Sequence, residues 1–239
     1  MALPFLSIVV PAYNEAQRIR DALTRICAFK ESKPYPIEVI VVDDGSRDRT
    51  VEIVSEFPGI RLVRNDRNHG KGFTVRHGVL EAQGELVLFT DADLSAPIEE
   101  VDKLLAALQS SGADAAVGSR ALERELIGIH QPWFRDIGGR FFNLLVRFFA
   151  GLKLHDTQCG FKLFKRNSTR GAFERMHVEG FGFDPELLFL IERGGGKVVE
   201  VPVRWNDNPA TKVRFFRDST RMVLDLMAIR WRSFMGKYR

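Results

Sequence analysis

Two short segments near the N-terminus are apolar on both sides of an extended backbone, and they constrain the fold more than any other feature. They are Ser7-Ile8-Val9-Val10 and Val39-Ile40-Val41-Val42. Strands of this kind are typical of parallel sheets that helices cover on both faces. In all, five strands are predicted in the first half, at residues 6–10, 37–42, 60–63, 86–90 and 113–118, with helices at 15–29, 49–57, 72–82 and 98–110.

This alternation predicts an α/β fold, a Rossmann-like, doubly wound and mostly parallel sheet flanked by helices. The second half is less regular, with predicted helices at 135–150, 185–193 and 211–231 and strands at 160–164 and 197–203. No linker or repeat divides the chain. We therefore expect one domain over residues 1–210 and a basic amphipathic C-terminal helix over 211–239, packed on that domain or on a membrane.

The cysteine content and the charge distribution indicate the cellular compartment and the type of binding partner. Cys27 and Cys159 are isolated, which argues against a disulfide framework or a zinc site and favours a reduced, cytoplasmic environment. Neither a signal peptide nor an apolar run of the ~18–20 residues needed to span a bilayer is found. Residues 204–239 hold nine Lys or Arg against three Asp, a net charge of +6; because the whole chain carries +4, the remainder carries −2. A basic end favours an anionic lipid or phosphate partner, whereas no nucleic-acid recognition motif is present.

Asp91-Ala92-Asp93 follows the fourth predicted strand. Side chains two residues apart on an extended segment share one side, so both carboxylates can face one Mg²⁺ or Mn²⁺ ion. The alternative is a strand end followed by a helix-capping Asp. Two more polar loops, 11–15 and 43–48, follow the first two strands. Ligands bind where parallel strands end, so the coincidence favours a binding site.

Several motifs together resemble one family. They are Val10-Pro11-Ala12-Tyr13-Asn14-Glu15, Val42-Asp43-Asp44-Gly45-Ser46-Arg47-Asp48, Asp91-Ala92-Asp93 and Gly118-Ser119-Arg120. In order and spacing they resemble the family 2 inverting glycosyltransferases of the GT-A fold. The later segments 156–164 and 183–188 are similar to the polyprenyl-phosphate hexosyltransferases. Among these, they resemble the dolichyl-phosphate β-glucosyltransferases most and the dolichyl-phosphate mannose synthases second. The resemblance covers nearly the whole chain.

The resemblance implies a nucleotide-sugar donor and a polyprenyl-phosphate acceptor. The expected reaction moves glucose from UDP-glucose to dolichyl or undecaprenyl phosphate. GDP-mannose as donor, a soluble glycosyltransferase acting on a sugar hydroxyl, and an inactive nucleotide-sugar-binding module remain alternatives. A Mg²⁺ or Mn²⁺ ion on Asp91 and Asp93 would stabilise the leaving diphosphate. The residues implied on the donor side are Pro11, Ala12, Tyr13, Glu15, Asp43, Asp44, Lys71 and Asp91.

The acceptor determines which further groups are needed. A phosphate monoester is mostly ionised at pH 7, with a second pKa of about 6, so cations matter more than a strong base. Arg120 and Arg135 resemble the phosphate-binding arginines of the subgroup, Arg140 is proposed from proximity alone, and Lys212 falls in a stretch similar to one of the glucosyl subgroup. Asp184 is a candidate base or sugar ligand, or else a helix N-cap with Pro185 as the first helical residue. Gln158 lies in the acceptor-side motif, whereas its neighbour Cys159 is interpreted as a packing residue.

The Phe-rich segment 141–149, which also carries Arg147, allows two interpretations. It is either a core helix or an interfacial helix that lies in lipid so that a prenyl chain can present its phosphate. Together with the basic tail, it favours the membrane interpretation. The expectation is a peripheral enzyme on the cytoplasmic face of a membrane, alone or with a separate membrane-protein partner.

Overall fold

A seven-stranded sheet forms the centre of the computed structural model, which describes residues 3–129, 133–207 and 215–238 of the chain. The strands of this sheet are β1 (Leu6–Ala12), β2 (Ile37–Asp43), β3 (Ile60–Arg64), β4 (Leu86–Thr90), β5 (Ala115–Ser119), β7 (Phe161–Lys165) and β8 (Val198–Pro202). Their order is β3-β2-β1-β4-β7-β5-β8. A small second sheet pairs β6 (Ile127–Ile129) with β9 (Trp205–Asn206).

Helices cover both faces of the large sheet. They are α1 (Ile19–Ser32), α2 (Thr50–Ser55), α3 (Lys71–Glu81), α4 (Val101–Ser111), α5 (Trp133–Ala150), α6 (Arg166–Glu174), α7 (Phe183–Arg193) and α8 (Phe215–Phe234). Successive side chains of a strand point to opposite faces, so Ile8 joins the core beneath α1 and α4, whereas Val9 joins the core beneath α3, α5, α7 and α8. Burial of strands on both faces explains the continuous apolar runs of the sequence.

The predicted fold is confirmed. The sheet is mostly parallel: β1 pairs in parallel with β2 and β4, as do β2 with β3 and β5 with β8. All five strands predicted in the first half are present. The predicted start of the first helix at residue 15 is wrong, because α1 begins at Ile19. Helix α6 and the two short strands β6 and β9 were not predicted.

Strand β7 runs antiparallel to both of its neighbours, β4 and β5. The chain therefore enters β7 at the edge of the sheet where the parallel strands end. Residues 156–160, which precede β7, consequently lie beside Asp91 after β4 and Arg120 after β5. This one reversal brings residues 156–160 to the same edge of the sheet as the loops that follow β1, β2 and β4.

Helix α8 packs its Met222, Leu226 and Ile229 face into the core shared with α5 and α7. Beyond the helix, Tyr238 is buried and its hydroxyl donates a hydrogen bond to Glu186 of α7. The C-terminal segment is thus attached to the α/β body. The predicted domain boundary between residues 210 and 211 lies outside the described residues. No described helix has the length and apolarity to cross a bilayer.

Candidate active site

The loops that follow β1 and β2 are joined by side-chain hydrogen bonds into one surface. The N–H of Asn14 donates to Ser46 Oγ (2.8 Å), and Asn14 Oδ1 accepts the N–H of Arg47 (2.7 Å). The N–H of Glu15 donates to Thr50 Oγ1 (2.7 Å). Asn14 adopts a left-handed backbone with φ of 53°, which is costly for a residue other than glycine. Pro11 and Ala12 end β1 directly beneath this surface, and Tyr13 is half-buried within it.

Asp43 and Asp44 are almost fully buried at the end of β2. The Asp43 carboxylate accepts the N–H of Ser46, while Asp44 Oδ1 accepts the N–H of His69 (3.0 Å) and Asp44 Oδ2 that of Gly70 (2.8 Å). Asp44 therefore orders the backbone that leads into α3. The assignment of both residues to the nucleotide stays a prediction.

Lys71, the first residue of α3, reaches the first metal-ligand candidate. Its Nζ lies 2.7 Å from Asp91 Oδ1 and 5.4 Å from the centroid of the Phe89 ring. Burial disfavours the ammonium charge, but Asp91 and Asp184 outweigh it and raise the pKa of Lys71. Lys71 therefore lies between two carboxylates at the edge of the sheet.

Asp93 has a different cationic partner. Its Oδ2 lies 3.4 Å from Nη1 of Arg18, whose Nε and Nη2 bind Glu15 at 2.6 and 2.8 Å. Burial and the neighbouring Asp91 raise the pKa of Asp93. Arg18 was missed in the sequence analysis. The one local signal for it is its three-residue spacing from Glu15.

The backbone between these carboxylates is sharply turned. The N–H of Leu94 donates to the carbonyl oxygen of Asp91 (3.1 Å), and Leu94 has a φ of 46°. Asp93 Oδ1 accepts the N–H of Ser95 (3.0 Å). Strained backbone of this kind persists where the surrounding structure holds it, commonly at functional sites.

The residues at this point fit a divalent cation. The two carboxylates are hard oxygen donors, and each already attracts a protein cation, Lys71 or Arg18. No cluster of three or more His, Cys, Asp and Glu side chains able to hold a metal is found in the described part of the chain. Asp91 and Asp93 are the two residues here that would hold such an ion.

On the other side of β7, Arg120 is bound by Asp156. Arg120 Nε and Nη2 donate to the two Asp156 oxygens at 2.6 and 2.9 Å, and the guanidinium carbon lies 5.3 Å from the Trp205 ring centroid. Glu200 accepts the N–H groups of His155 (2.7 Å) and Asp156 (2.8 Å). Burial opposes the charge of Asp156, but Arg120 lowers its pKa to about 2. Asp156 thus fixes the predicted phosphate-binding arginine.

The helix-cap interpretation of Asp184 is wrong. Helix α7 begins at Phe183, with Gly182 as its flanking residue and no side-chain cap, so Asp184 lies inside the first turn. Its Oδ1 accepts a hydrogen bond from Lys162 Nζ at 2.5 Å. Lys162 belongs to the motif that carried the family resemblance, yet the sequence analysis gave it no role.

Cys159 is buried, and burial raises the pKa of its thiol to about 12, which confirms its interpretation as a packing residue. Its neighbour Gln158 is half-buried, and its N–H donates to Asp156 Oδ1 (3.1 Å). Arg135 and Arg140 belong to α5, but their side chains lie outside the described part of the structure, as does the whole of Lys212.

Comparison with known families decides the class of this site. The family model "Glycosyl transferase family 2" matches residues 7–173. The chain belongs to glycosyl transferase family 2. It is therefore a glycosyltransferase enzyme, as its motifs predicted.

This family 2 glycosyltransferase has similar relatives over nearly its whole length. It is 39% identical to a dolichyl-phosphate beta-glucosyltransferase of Drosophila melanogaster, covering 98% of this chain and 77% of the relative. It is 36% identical to the protein of that name from Saccharomyces cerevisiae, with the same coverage. The human protein of that name is 34% identical, again over 98% and 77%.

Solved structures confirm the GT-A fold of the family 2 chain. Glucosyl-3-phosphoglycerate synthase of Mycobacterium tuberculosis, in complex with Mn²⁺, UDP-glucose and glycerol 3-phosphate, superposes with a TM-score of 0.70 at 20% identity, covering 95% of this chain and 80% of that one. The same enzyme with Mg²⁺ and UDP gives a TM-score of 0.72 at 19% identity, over 95% and 79%. At this level of identity the likeness concerns the fold.

Proposed function

We propose that this enzyme transfers glucose, with inversion, from UDP-glucose to the phosphate of a polyprenyl lipid such as dolichyl phosphate. The observation that carries the proposal is the meeting of two kinds of group at one sheet edge. A pair of carboxylates suited to a metal-bound diphosphate, Asp91 and Asp93, lies beside an arginine suited to a second phosphate, Arg120. Burial opposes the charge of Arg120, but its ion pair with Asp156 raises its pKa, and the charge of Asp91 adds a smaller contribution. The names of the relatives agree with this chemistry.

On the donor side, the joined loops of Tyr13, Glu15, Asp43 and Asp44 would bind the nucleotide. A Mg²⁺ or Mn²⁺ ion held by Asp91 and Asp93 would supply positive charge to the departing diphosphate. Lys71 is the chain's own contribution to the same task. Its ammonium is within reach of Asp91 and, as a mobile point charge, suits a phosphate oxygen.

On the acceptor side, an ionised phosphate needs to be positioned beside the sugar rather than deprotonated. Arg120 is held by Asp156 in a fixed orientation, and a guanidinium matches phosphate oxygens. Arg135 and Arg140 of α5, together with Lys212, are proposed as further cations for this phosphate. Gln158 would contact the acceptor side, and Asp184 would bind the hexose through a carboxylate oxygen.

Two adjacent helices offer a surface for lipid. On α5, Phe142 and Val146 are buried, whereas Leu144 and Phe148 are exposed, the latter by 80%. One side of the Phe-rich helix therefore belongs to the core, and we propose that the other side contacts lipid. On α8, the exposed apolar side chains are Leu224, Met227, Trp231 and Phe234, and Met235 follows directly after the helix.

Exposed cations accompany these apolar side chains, namely Arg147 on α5 and Arg221 and Arg230 on α8. Apolar side chains next to cations are typical of helices that lie in an anionic membrane surface. The proposal therefore includes peripheral binding on the cytoplasmic face, where a polyprenyl phosphate would be presented; a membrane-protein partner would be an additional means of recruitment.

The decisive experiment is an assay of the purified chain with Mn²⁺ or Mg²⁺, with dolichyl phosphate or a free hexose as acceptor, and with UDP-glucose or GDP-mannose as donor. We expect a glucosyl lipid from UDP-glucose that disappears with EDTA and with Asp93→Asn. A mannosyl lipid from GDP-mannose alone would replace the donor assignment. Product formed only on free sugar hydroxyls would refute the lipid-phosphate acceptor, and no product with any pair would support a binding module.

A further inference from the structure

Lys162 is a fully buried cation in the middle of the sheet. It belongs to β7, between Phe89 of β4 and Val117 of β5, and none of its surface is exposed. Phe161 and Leu163 point into the core beneath α1 and α4, so Lys162 points to the opposite face, where α7 packs. Its neighbours in the sheet on that face, Phe89 and Val117, are apolar.

The ammonium of Lys162 has two polar partners. Nζ donates to Asp184 Oδ1 (2.5 Å) and to the carbonyl oxygen of Cys159 (2.6 Å), and it lies 5.7 Å from the Phe89 ring centroid. Asp184 is its one salt-bridge partner within the described residues. Burying such a pair is a poor way to gain stability, because apolar residues of similar volume commonly do as well or better. The arrangement therefore calls for a reason other than stability.

Asp184 supplies that reason, because it lies close to the candidate active site. Its charge interacts with Lys71 and Asp91, and a Cβ at Gly72, next to Lys71, would lie 2.6 Å from Cβ of Phe183. The start of α7 is thus pressed against the start of α3, beside the metal-ligand candidates. Lys162 holds Oδ1, whereas Oδ2 of Asp184 accepts no hydrogen bond from the parts of the chain that the structure describes.

We propose that Lys162 is a positioning residue that keeps Asp184 ionised and oriented. Oδ2 of Asp184 then accepts a hydrogen bond from a hydroxyl group of the transferred sugar. This inference rests on the proposed function. An ionised carboxylate only accepts hydrogen bonds, whereas a protonated one would present a donor. Burial raises the pKa of Asp184, whereas the hydrogen bond and charge of Lys162 and the charge of Lys71 act against that rise and favour the carboxylate. Since Lys71 also binds Asp91, Lys162 is the cation dedicated to Asp184.

The test uses three variants of the full chain: Lys162→Met, Asp184→Asn, and the two combined. Lys162→Met should lower kcat about 100-fold, as misplacing a positioned group does, while KM for UDP-glucose changes little. The double variant replaces the ion pair by a neutral pair, so it should recover thermal stability lost in Lys162→Met. Its kcat should stay as low as that of Asp184→Asn, because the two residues act as a unit. Lys165→Met, a change at a partly exposed lysine of the same strand, is the control and should keep the wild-type kcat.

A second measurement does not depend on turnover. Infrared difference spectra of Lys162→Met against the double variant should show the carbonyl band of a protonated carboxyl at Asp184, and wild type against Asp184→Asn should lack it. A wild-type kcat in Lys162→Met, a recovered kcat in the double variant, or an ionised Asp184 without Lys162 would each overturn the proposal. If wild type itself makes no glucosyl lipid, the proposed function fails, and the infrared result still decides whether Lys162 controls the charge of Asp184.

Discussion

Gly160 and Asp91 approach so closely that a Cβ atom at residue 160 would lie 2.0 Å from Asp91 Oδ2. The N–H of Asp91 also donates to the carbonyl oxygen of Gly160 (3.1 Å), which fixes the spacing of the two backbones. The backbone that leads into β7 therefore packs directly against the carboxylate of Asp91. No residue other than glycine leaves the carboxylate where it is.

Gly160→Ala should accordingly impair catalysis more than folding. The added methyl group must displace the Asp91 carboxylate, and a displacement of about 1 Å at a reacting centre costs about 100-fold in rate. The measurement is kcat with UDP-glucose and dolichyl phosphate, alongside circular dichroism. Gly171→Ala is the control, because its Cβ would meet only the end of Arg175 at 3.8 Å. A wild-type rate in Gly160→Ala would show that this contact is not needed.

Asp156 should make the protein sensitive to acid. Arg120 lowers the pKa of Asp156 to about 2 in the folded protein, against about 3.9 in an unfolded chain. Its charge therefore stabilises the fold above about pH 4, and this contribution of about 3 kcal/mol is lost as the pH falls from about 4 through about 2. Urea unfolding of wild type and Asp156→Asn between neutral pH and pH 2 should give curves that converge at the acid end. Parallel curves would contradict the assignment.

Cys159 should be dispensable and unreactive. Burial raises the pKa of its thiol to about 12, so almost no thiolate is available at about pH 8. Iodoacetamide labelling followed by mass spectrometry should modify Cys159 only after denaturation, with the half-buried Cys27 as the internal comparison. Cys159→Ala should keep wild-type turnover. Rapid labelling of native Cys159, or loss of turnover in the alanine variant, would argue for a chemical role.

Tyr238 should anchor the C-terminal segment. Its hydroxyl donates to Glu186, which is fully buried and also accepts the N–H groups of His177 (2.9 Å) and Val178 (2.7 Å). Tyr238→Phe should destabilise the protein by about 1–3 kcal/mol, measured by urea unfolding, because a buried charge loses a donor. Tyr35→Phe is the matched control, since the buried Tyr35 hydroxyl has no hydrogen-bond partner within the described residues. Equal midpoints for the two variants would contradict the anchoring role.

The exposed side chains of α5 should carry membrane binding. Arg147→Glu combined with Phe148→Ser removes a cation and an 80%-exposed aromatic ring, and it should abolish flotation with vesicles that contain anionic lipid. Arg25→Glu, a charge reversal at an exposed position of α1, should leave flotation intact. Flotation unchanged by the double substitution would assign lipid binding to another surface.

The sequence by itself determined the alternation of strands and helices, the parallel character of most of the sheet, and the edge of the sheet at which Asp43 and Asp91 both lie. Each of these features depends on residues within one short segment of the chain. A buried strand has an apolar pattern of its own, and polar loops lie at its ends. The family motifs added the class of enzyme. Placing Asp184 at a helix start was also correct in outline, but the alternative that it caps the helix was not.

The tertiary structure decided the direction of β7 and the ion pairs of the site. A short apolar strand has the same residue pattern whether it pairs in parallel or antiparallel. The sequence therefore predicted β7 but not its direction in the sheet. Arg18 and Asp93 are 75 residues apart in the chain, and Lys162 and Asp184 are 22 apart. Such contacts depend on strand order, register and helix placement together, so only the assembled sheet brings each carboxylate to its cation.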